Sequence, residues 1–382
     1  MAGCCSTTDG AGEAQSAANS SCRCGAESSN PQPEARSLEG EGWFEGWIET
    51  PSVKAARVST VLSFRDRLGT VRRRIGIGRY SYRVEPWLYA VGSPDADSPV
   101  LVSANYKMSF DALRSNLKGR DLWILVIDTK GINVWCAAGK GTFSAAEIAR
   151  MVELTGLDKV VSHRRLILPQ LSGSGVAAHE LIRQTGFKAV FGPVRAADTS
   201  AFIDRGMEAT PAMRRVNFAL ADRLVLTPIE FAGGLPILLG GAAIILLAAG
   251  LNRSGISFVG AWDHGWRAVL AFVGAFIAGA AITPVVLPWT PFRSFALKGS
   301  FVGLIWAAVM LPSSLLAGIG SLLILPAIAG YAALNFTGAS TYTSPSGVRK
   351  ELRYAIPAFI AAGSIGVGLI ITQKIITIVS GG

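Results

Sequence analysis

One cysteine, Cys136, lies in the segment GINVWCAAGKGTF (residues 131–143), far from the other four, which fall between Cys4 and Cys24. A thiolate is a soft donor, able to act as a nucleophile or to bind a soft metal ion. The bulky residue Trp135 precedes the thiol, and a run of small residues begins at Ala137. This pattern makes Cys136 the first candidate for chemistry in the chain.

Four interpretations of this segment are possible. A P-loop would need Gly at position 134 and Ser or Thr at 141, where the chain has Val134 and Gly141. A thiol nucleophile needs a histidine base, and none of the three histidines carries a recognisable signature. A buried structural cysteine is common in protein cores. A metal ligand is the fourth possibility, and small residues after a strand favour a turn that faces a ligand.

The elements that position Cys136 follow an alternating pattern. Apolar runs of strand length are predicted at PVLVSA (99–104), DLWILVID (121–128), RRLILPQ (164–170) and KAVFGP (188–193). Helices are predicted between and after them, one of them with Ser144 as its cap and Gly156 as its stop. Strands alternating with helices predict a Rossmann-like α/β domain with a parallel sheet. Before it, residues 59–78 are predicted to form a β-hairpin with Gly69 in its turn.

Ligands of such sheets bind at the carboxyl ends of the strands. Candidate binding residues at these ends follow the first, third and fourth of the predicted strands: Asn105, Leu171, Ser172, Gly192 and Pro193. The segment that contains Cys136 follows the second. We therefore expect these residues to share one edge of the sheet.

The 382 residues fall into three predicted regions: a disordered tail (1–42), a soluble domain (43–225) and an all-α transmembrane domain (226–382). Five spans are predicted, at residues 230–251, 266–287, 296–311, 315–336 and 355–376. Basic residues concentrate before the first span and in alternate loops, which predicts a multi-pass protein of the cell (inner) membrane, with a cytoplasmic soluble domain and an external C-terminus. The N-terminus has no apolar run, so a signal peptide is not predicted. The net charge of +10 comes from scattered residues, so nucleic-acid binding is not expected.

Three segments of the sequence resemble a known protein family. NVWCAAGK (133–140) resembles, at every position, the signature of the mercury-methylating corrinoid proteins. The segments SPVLVSANYKMSFDALR (98–114) and AVFGPVRAAD (189–198) are similar to the same family, as is the order of a corrinoid-binding domain and five membrane helices. The soluble domain also resembles the large subunit of the corrinoid iron–sulfur protein of acetyl-CoA synthesis.

The resemblance implies a corrinoid cofactor of the cobalamin type and a helix that caps its lower face. Cys136 would be the lower axial ligand of cobalt, and the common histidine motif for that position, D-x-H-x-x-G, is missing. The residues implied to contact the cofactor are Asn133, Val134, Trp135, Cys136, Ala137, Ala138, Gly139 and Lys140. Small Ala137, Ala138 and Gly139 would let the helix approach a flat ring closely.

The implied reaction is corrinoid-dependent methyl transfer to Hg(II), forming methylmercury. A thiolate donor favours release of the methyl group with its bonding electrons to a soft acceptor, which leaves cobalt to be reduced. The implied partners are a dicluster [4Fe-4S] ferredoxin as electron donor and a methylated-folate methyltransferase as methyl source. Alternatives are a corrinoid methyl carrier with another acceptor and, in a different class, a membrane transporter or scaffold with a nucleotide-binding soluble domain.

The four N-terminal cysteines depart from the pattern of the soluble relatives. Cys4, Cys5, Cys22 and Cys24 have the wrong spacing for the four-cysteine cluster of those proteins, so no iron–sulfur cluster is expected in this chain. One hypothesis is that they capture Hg(II) and pass it towards the cobalt. The alternative is a dispensable tail.

Overall fold

The computed structural model describes residues 38–337 and 345–380. The four N-terminal cysteines and most of the predicted tail lie outside these residues. The described chain begins with an α/β domain and continues into a region of apolar helices.

The α/β domain is built on a seven-stranded mixed sheet in the order β1-β2-β3-β5-β4-β6-β7. The strands are β1 (Phe44–Glu49), β2 (Lys54–Val58), β3 (Leu88–Val91), β4 (Val100–Ala104), β5 (Leu122–Ile127), β6 (Arg165–Leu168) and β7 (Lys188–Phe191). The four predicted strands correspond to β4–β7, which are all parallel. The three earlier strands make the sheet mixed, because β3 runs antiparallel to β5 and β1 antiparallel to β2. The prediction of a parallel sheet is therefore confirmed for β4–β7 only.

The parallel strands diverge at one place. β4 pairs with β5 along its whole length, from Val100 to Ala104, but with β6 only through Leu101 and Ile167. The chain reverses its direction of strand addition between β4 and β6, the position at which open α/β sheets bind ligands. Since the two strands separate beyond their single paired position, a crevice opens at their carboxyl ends.

In the part of the chain that the structure describes, this domain has seven α-helices with defined bounds: α1 (Phe64–Arg74), α2 (Lys107–Arg114), α3 (Val134–Lys140), α4 (Ala145–Thr155), α5 (Leu157–Val160), α6 (Ala178–Thr185) and α7 (Thr199–Asp204). Right-handed crossovers put α2 on one face of the sheet and α4 and α6, which pack together, on the other. The predicted cap and stop of α4 are confirmed: Ser144 accepts from the Glu147 amide, and Gly156 has a left-handed backbone.

The hairpin predicted for residues 59–78 is wrong, because most of this segment forms α1. Ser63 and Asp66 make a reciprocal capping box that starts the helix. Gly69 is not in a turn: a Cβ there would lie 2.2 Å from the Tyr82 hydroxyl, so glycine allows the close packing of α1 on Tyr82.

The second region contains the apolar helices α8 (Leu220–Leu224), α9 (Thr227–Gly250), α10 (Phe258–Ile277), α11 (Thr283–Val286), α12 (Phe295–Val309), α13 (Leu315–Leu334) and α14 (Pro345–Ser380). A π-helical turn, Ala278–Ile282, joins α10 to α11. Four helical segments of the described residues are long and apolar enough to cross a membrane: Leu220–Gly250, Gly265–Val286, Leu315–Leu334 and Ser346–Ser380. The third predicted span corresponds to α12, whose 15 residues extend about 22 Å, less than the roughly 30 Å of a hydrocarbon core.

Candidate functional site

Asn105, at the end of β4, organises the loop that leads to Cys136. Its Oδ1 accepts hydrogen bonds from the Thr129 amide (3.1 Å), the Thr129 hydroxyl (2.9 Å) and the Gly131 amide (3.0 Å). Its Nδ2 donates to Asp128 at 2.9 Å. Because Asn105 is only 1% exposed and both polar atoms are engaged, it holds the β5–α3 loop from inside.

The same loop contains an unusual backbone conformation at Lys130, which has φ of 60° without being glycine. Asp128 stabilises it by accepting from the Lys130 amide at 2.9 Å and from its Nζ at 2.7 Å. Burial alone would raise the pKa of Asp128, but the hydrogen bonds from Lys130 and Asn105 outweigh it and lower the pKa. Glu147 of α4 also accepts from the Asp128 amide. The loop is thus fixed from three elements, as expected where a strained backbone positions a functional segment.

Helix α3 begins where the sequence predicts and presents two different faces. The Asn133 side chain caps it by accepting from the Cys136 amide at 2.9 Å, and Gly141 ends it with φ of 77°. Ala137 and Ala138 are buried against the domain. Cys136, Gly139 and Lys140 are exposed on the opposite side.

The exposed face of α3 has free space beside the thiol. A Cβ added to Gly139, one turn after Cys136, would meet no atom within 4 Å. Lys140 makes no hydrogen bond or ion pair to the described residues. Cys136, Gly139 and Lys140 therefore form an open face, with the thiol beside a position that has no side chain.

Gly175 permits the close packing of the buried side of α3. A Cβ at Gly175 would lie 2.7 Å from the Ala138 Cα and 2.5 Å from the Phe143 carbonyl oxygen. The loop after β6 therefore contacts the backbone of α3 directly, and Ala138 has the small side chain this contact requires. The sequence places Gly175 in the glycine-rich stretch LSGSG, but we did not predict it as a site residue.

A cavity of about 310 Å³ occupies the crevice at the carboxyl ends of β4, β6 and β7. Its walls come from β4 and β6, from α2, from the start of α3 and from the segments after β6 and β7. Of the predicted site residues, five line it: Asn133, Val134, Trp135, Leu171 and Pro193. Trp135 is also 37% exposed, so its indole lies between the cavity and the open face.

The predicted residues that neither line the cavity nor belong to the open face are buried behind this surface. Ser172 is fully buried and donates to the Pro169 carbonyl at 2.8 Å, which closes the turn after β6. Gly192 is buried, and a Cβ there would lie 3.2 Å from Ile167. Together with Asn105, Ala137 and Ala138, these residues shape the site and do not line its cavity.

A buried cluster of four charges, which we did not predict, supports the α2 wall. Lys107 and Arg114 of α2 each pair with Asp66 of α1 and with Asp111, at 2.6–2.9 Å. Burial would raise the pKa of Asp66, but hydrogen bonds from Lys107 and Ser63 outweigh it and hold the pKa at about 2. Two cations and two carboxylates balance, so α1 and α2 are joined without a net buried charge.

The structure narrows the interpretations of Cys136. The cysteine is exposed, so the interpretation of Cys136 as a buried structural cysteine is wrong. Neither His163 nor His179 is hydrogen-bonded to the thiol, and among the described residues no group of three or more His, Cys, Asp or Glu side chains is arranged to hold a metal ion. A group bound at this face would have Cys136 as its single soft donor.

The α/β domain is similar to proteins of acetyl-CoA metabolism. Residues 65–203, about a third of the chain, match the family described as CO dehydrogenase/acetyl-CoA synthase delta subunit. Acetyl-CoA decarbonylase/synthase complex subunit gamma of Archaeoglobus fulgidus is 29% identical over 129 residues, and that of Methanopyrus kandleri is 31% identical over 130.

These matches are partial on both sides. They cover 33% of this chain and only 27% and 28% of the two relatives. The gamma subunit of Methanocaldococcus jannaschii is similarly related, with 31% identity over 122 residues. The expected relation to the proteins of acetyl-CoA synthesis is thus confirmed for the α/β domain.

Proposed function

We propose that this chain is a membrane-anchored, corrinoid-dependent methyltransferase that transfers a methyl group from cobalt to mercury(II). The observation that carries the proposal is the exposed Cys136 on the capped helix α3, within a segment that resembles the signature of the mercury-methylating proteins. The similarity of the α/β domain to acetyl-CoA decarbonylase/synthase subunits supports an origin in corrinoid methyl chemistry.

The residues at the open face fit a flat macrocycle. The absence of a side chain at Gly139 leaves room for a ring beside the Cys136 sulfur. The neighbouring cavity of about 310 Å³ is at the lower end of the range for small-molecule sites. It is too small to enclose a corrin ring, so the ring would lie over α3, and only a small substituent would enter the crevice.

Each residue of the site then has a role. A bound corrinoid supplies a cobalt centre that carries the methyl group. Cys136 would hold it from below as a soft axial donor, the main means by which a protein adjusts such a metal. Asn133 keeps the first turn of α3 in place, while the Trp135 indole excludes water beside the thiol. Lys140 would donate to amide oxygens at the ring periphery.

Electron balance defines the partners. Transfer of a methyl group with its bonding electron pair to mercury(II) would leave the cofactor two electrons short of the state that accepts the next methyl group, so a donor of two electrons is needed. A dicluster [4Fe-4S] ferredoxin is the proposed donor of those electrons, and a methylated-folate methyltransferase is the proposed source of the methyl group. We place the α/β domain in the cytoplasm, where both partners would reach the open face, and the apolar helices in the cell membrane.

A methyl carrier with a different acceptor is the second candidate. It is favoured by the relatives, whose names assign them to acetyl-CoA decarbonylase/synthase rather than to mercury. Both candidates use Cys136 identically, and they differ in whether purified protein with reduced ferredoxin forms methylmercury.

The test compares the full chain with Cys136→Ala and Cys136→Ser after reconstitution with a corrinoid. We expect about one cobalt per wild-type chain, an absorption spectrum typical of thiolate ligation, and methylmercury formation. Both variants should lose the thiolate spectrum and at least about 100-fold in rate, since the axial donor is removed. Their melting temperatures should match the wild type, because the side chain is exposed.

Three results would contradict the proposal. A protein that holds no cobalt after reconstitution would show that the chain does not bind a corrinoid. Full activity of Cys136→Ala would show that the thiol is not the cobalt ligand. A corrinoid-loaded protein that methylates another acceptor but never mercury would leave only the carrier.

A further inference from the structure

Helix α1 has an apolar stripe that faces away from the domain. Phe64, Leu68 and Val71 are 78%, 45% and 57% exposed, and they recur at the spacing that places residues on one side of a helix. Ile75, directly after the helix, continues the same line. Such a contiguous exposed stripe is unusual on a soluble surface and indicates a binding partner.

Arginines flank this stripe on both sides. At 100° per residue, Arg65 and Arg72 lie on one flank and Arg67 and Arg74 on the other, and all four are exposed. Described acidic residues do not pair with them: the one carboxylate of α1, Asp66, points the other way into the buried charge cluster. The outer surface of α1 is therefore apolar at its centre and positively charged at both edges.

The inner surface of α1 is fixed to the domain, so its outer surface has a defined direction. Asp66 is bound by Lys107 and Arg114, and Arg73 stacks 4.4 Å from the centre of the Tyr82 ring. The helix cannot rotate its stripe inward without breaking these contacts.

The stripe meets the first membrane helix. Ile75 lines an open apolar groove of about 600 Å³ with Leu224, Phe231 and Leu235 of α8 and α9. Gly76 lies next to Ile229, since a Cβ there would be 3.7 Å from the Ile229 side chain. Only 6% of the apolar window within the segment from Leu220 to Gly250 is buried inside the protein. The stripe of α1 is thus continuous with an exposed apolar surface, which faces lipid under the membrane anchoring proposed above.

We propose that α1 lies in the interface of the bilayer, with Phe64, Leu68 and Val71 among the upper acyl chains and the four flanking arginines on anionic phospholipid headgroups. An apolar stripe between two rows of arginine is the pattern of interfacial helices. Arginine side chains reach from such a position to the phosphates. The α/β domain is then held against the membrane at a second point besides the chain connection at α8.

The experiment measures the depth of α1 in the full chain, in nanodiscs. The five native cysteines are replaced by serine, and a nitroxide is placed at Val71→Cys or, as a control, at Ile182→Cys. Ile182 is also apolar and 48% exposed, but it lies on α6, which packs on α4 and β7. Accessibility of each label to oxygen, which enters lipid, and to a water-soluble nickel complex gives its depth.

In nanodiscs with about 30% anionic lipid, the oxygen-to-nickel ratio should be severalfold higher at position 71 than at position 182. In purely zwitterionic nanodiscs the ratio at 71 should fall. In the variant Arg65→Gln/Arg67→Gln/Arg72→Gln/Arg74→Gln, this dependence on anionic lipid should disappear. An unchanged label spectrum at position 182 verifies that each variant is folded.

A label at position 71 that is as accessible to the nickel complex as that at 182 would overturn the proposal. So would shielding that appears only when a second protein is added, which would assign the stripe to that protein. Shielding lost on deletion of residues 1–37 would assign it to the N-terminal segment and would equally exclude the bilayer.

Discussion

At the scale of single residues, the site depends on how the neighbours of Cys136 divide between two faces. Asn133 fixes the first turn of α3, and Ala137 and Ala138 allow that turn to pack on the loop that contains Gly175. These contacts leave the thiol exposed beside Gly139. The thiol is accessible because Ala137 and Ala138 pack on the domain on one side of α3, while Gly139 leaves free space on the other side.

Gly139 provides the sharpest test of where a cofactor lies. A Cβ at this position would meet no neighbouring protein atom within 4 Å, and alanine stabilises helices over glycine by up to about 1 kcal/mol. We expect Gly139→Leu to leave the melting temperature unchanged or raised, while corrinoid binding falls by at least about tenfold because the side chain occupies the ring's position.

Thermal melting and corrinoid titration of the same preparation check this. As a matched control, Lys159→Leu on the short helix α5 adds an exposed leucine away from the site and should leave corrinoid binding unchanged. Tight corrinoid binding by Gly139→Leu would exclude a ring over α3.

Asn133 is expected to act on structure more than on chemistry. Asn133→Ala removes the cap of α3 and should cost about 1 kcal/mol, with weaker corrinoid retention because the turn that holds Cys136 frays. Asn133→Ser retains a capping oxygen and should restore both properties. Denaturant unfolding together with corrinoid dissociation rates measures the pair. Equal losses in the alanine and serine variants would mean that the Asn side chain contacts the cofactor directly.

At the scale of elements, the buried charges between α1 and α2 decide how the cavity wall is supported. Asp66 comes from one helix, and its two cations come from the other. Either helix alone would carry uncompensated charge, so the two form together. The same contacts determine which side of α1 remains exposed.

The pH dependence of stability should report this cluster. The pKa of Asp66 is lowered from 3.8 to about 2 in the folded protein. Since the folded-state pKa lies below the unfolded value, ionised Asp66 stabilises the fold above about pH 4, by about 2 kcal/mol, and this is lost as the pH falls towards 2. Melting temperatures between pH 5 and 2.5 should therefore drop more steeply for the wild type than for Asp66→Asn.

At neutral pH, Asp66→Asn leaves two buried cations with one carboxylate and should destabilise the domain by about 3 kcal/mol. The double variant Asp66→Asn/Lys107→Met restores the balance and should recover part of this loss. Asp204→Asn, which breaks the more exposed pair with Arg120, should cost much less than Asp66→Asn. Similar costs for Asp66→Asn and Asp204→Asn would contradict a cooperative cluster.

At the scale of the whole molecule, polar contacts join the apolar helices to one another at one end. Arg223 of α8 donates to the Pro284 and Val285 carbonyls at 2.8 and 2.6 Å. Glu351 of α14 accepts from Ser294 and the Ala296 amide, where α12 begins. Asn335 donates to Glu230 of α9 at 2.7 Å. These contacts lie near the predicted cytoplasmic loops, on the same side as the α/β domain.

Fusions test the proposed topology. With five crossings, alkaline phosphatase fused after residue 380 should be active outside the cytoplasm, and a fluorescent protein fused there should be dark. Fusions after Arg293, in a predicted cytoplasmic loop, should give the reverse. A bright C-terminal fluorescent fusion would indicate four crossings, with the short helix α12 failing to span.

The sequence by itself determined what depends on local pattern. The buried strands β4–β7 appear as apolar runs, α4 begins at a capping serine and ends at glycine, and long apolar stretches mark the helices α9, α10, α13 and α14. The candidate thiol also followed from the sequence, because its segment combines a rare residue type with a family resemblance. Each of these signals lies within one stretch of the chain.

Only the tertiary structure decided what depends on distant partners. The sequence pattern of residues 59–78 predicts extended strands, yet most of this segment forms α1, because Asp66 pairs with two cations from α2 and Gly69 packs on Tyr82. Asn105 was expected to contact a ligand, but its side chain is enclosed by the β5–α3 loop. Gly175, in the loop after β6, likewise determines which small residues of α3 face outward. Contacts of this kind leave no periodic trace, because each partner lies in another element, so their energies appear only when the chain has folded.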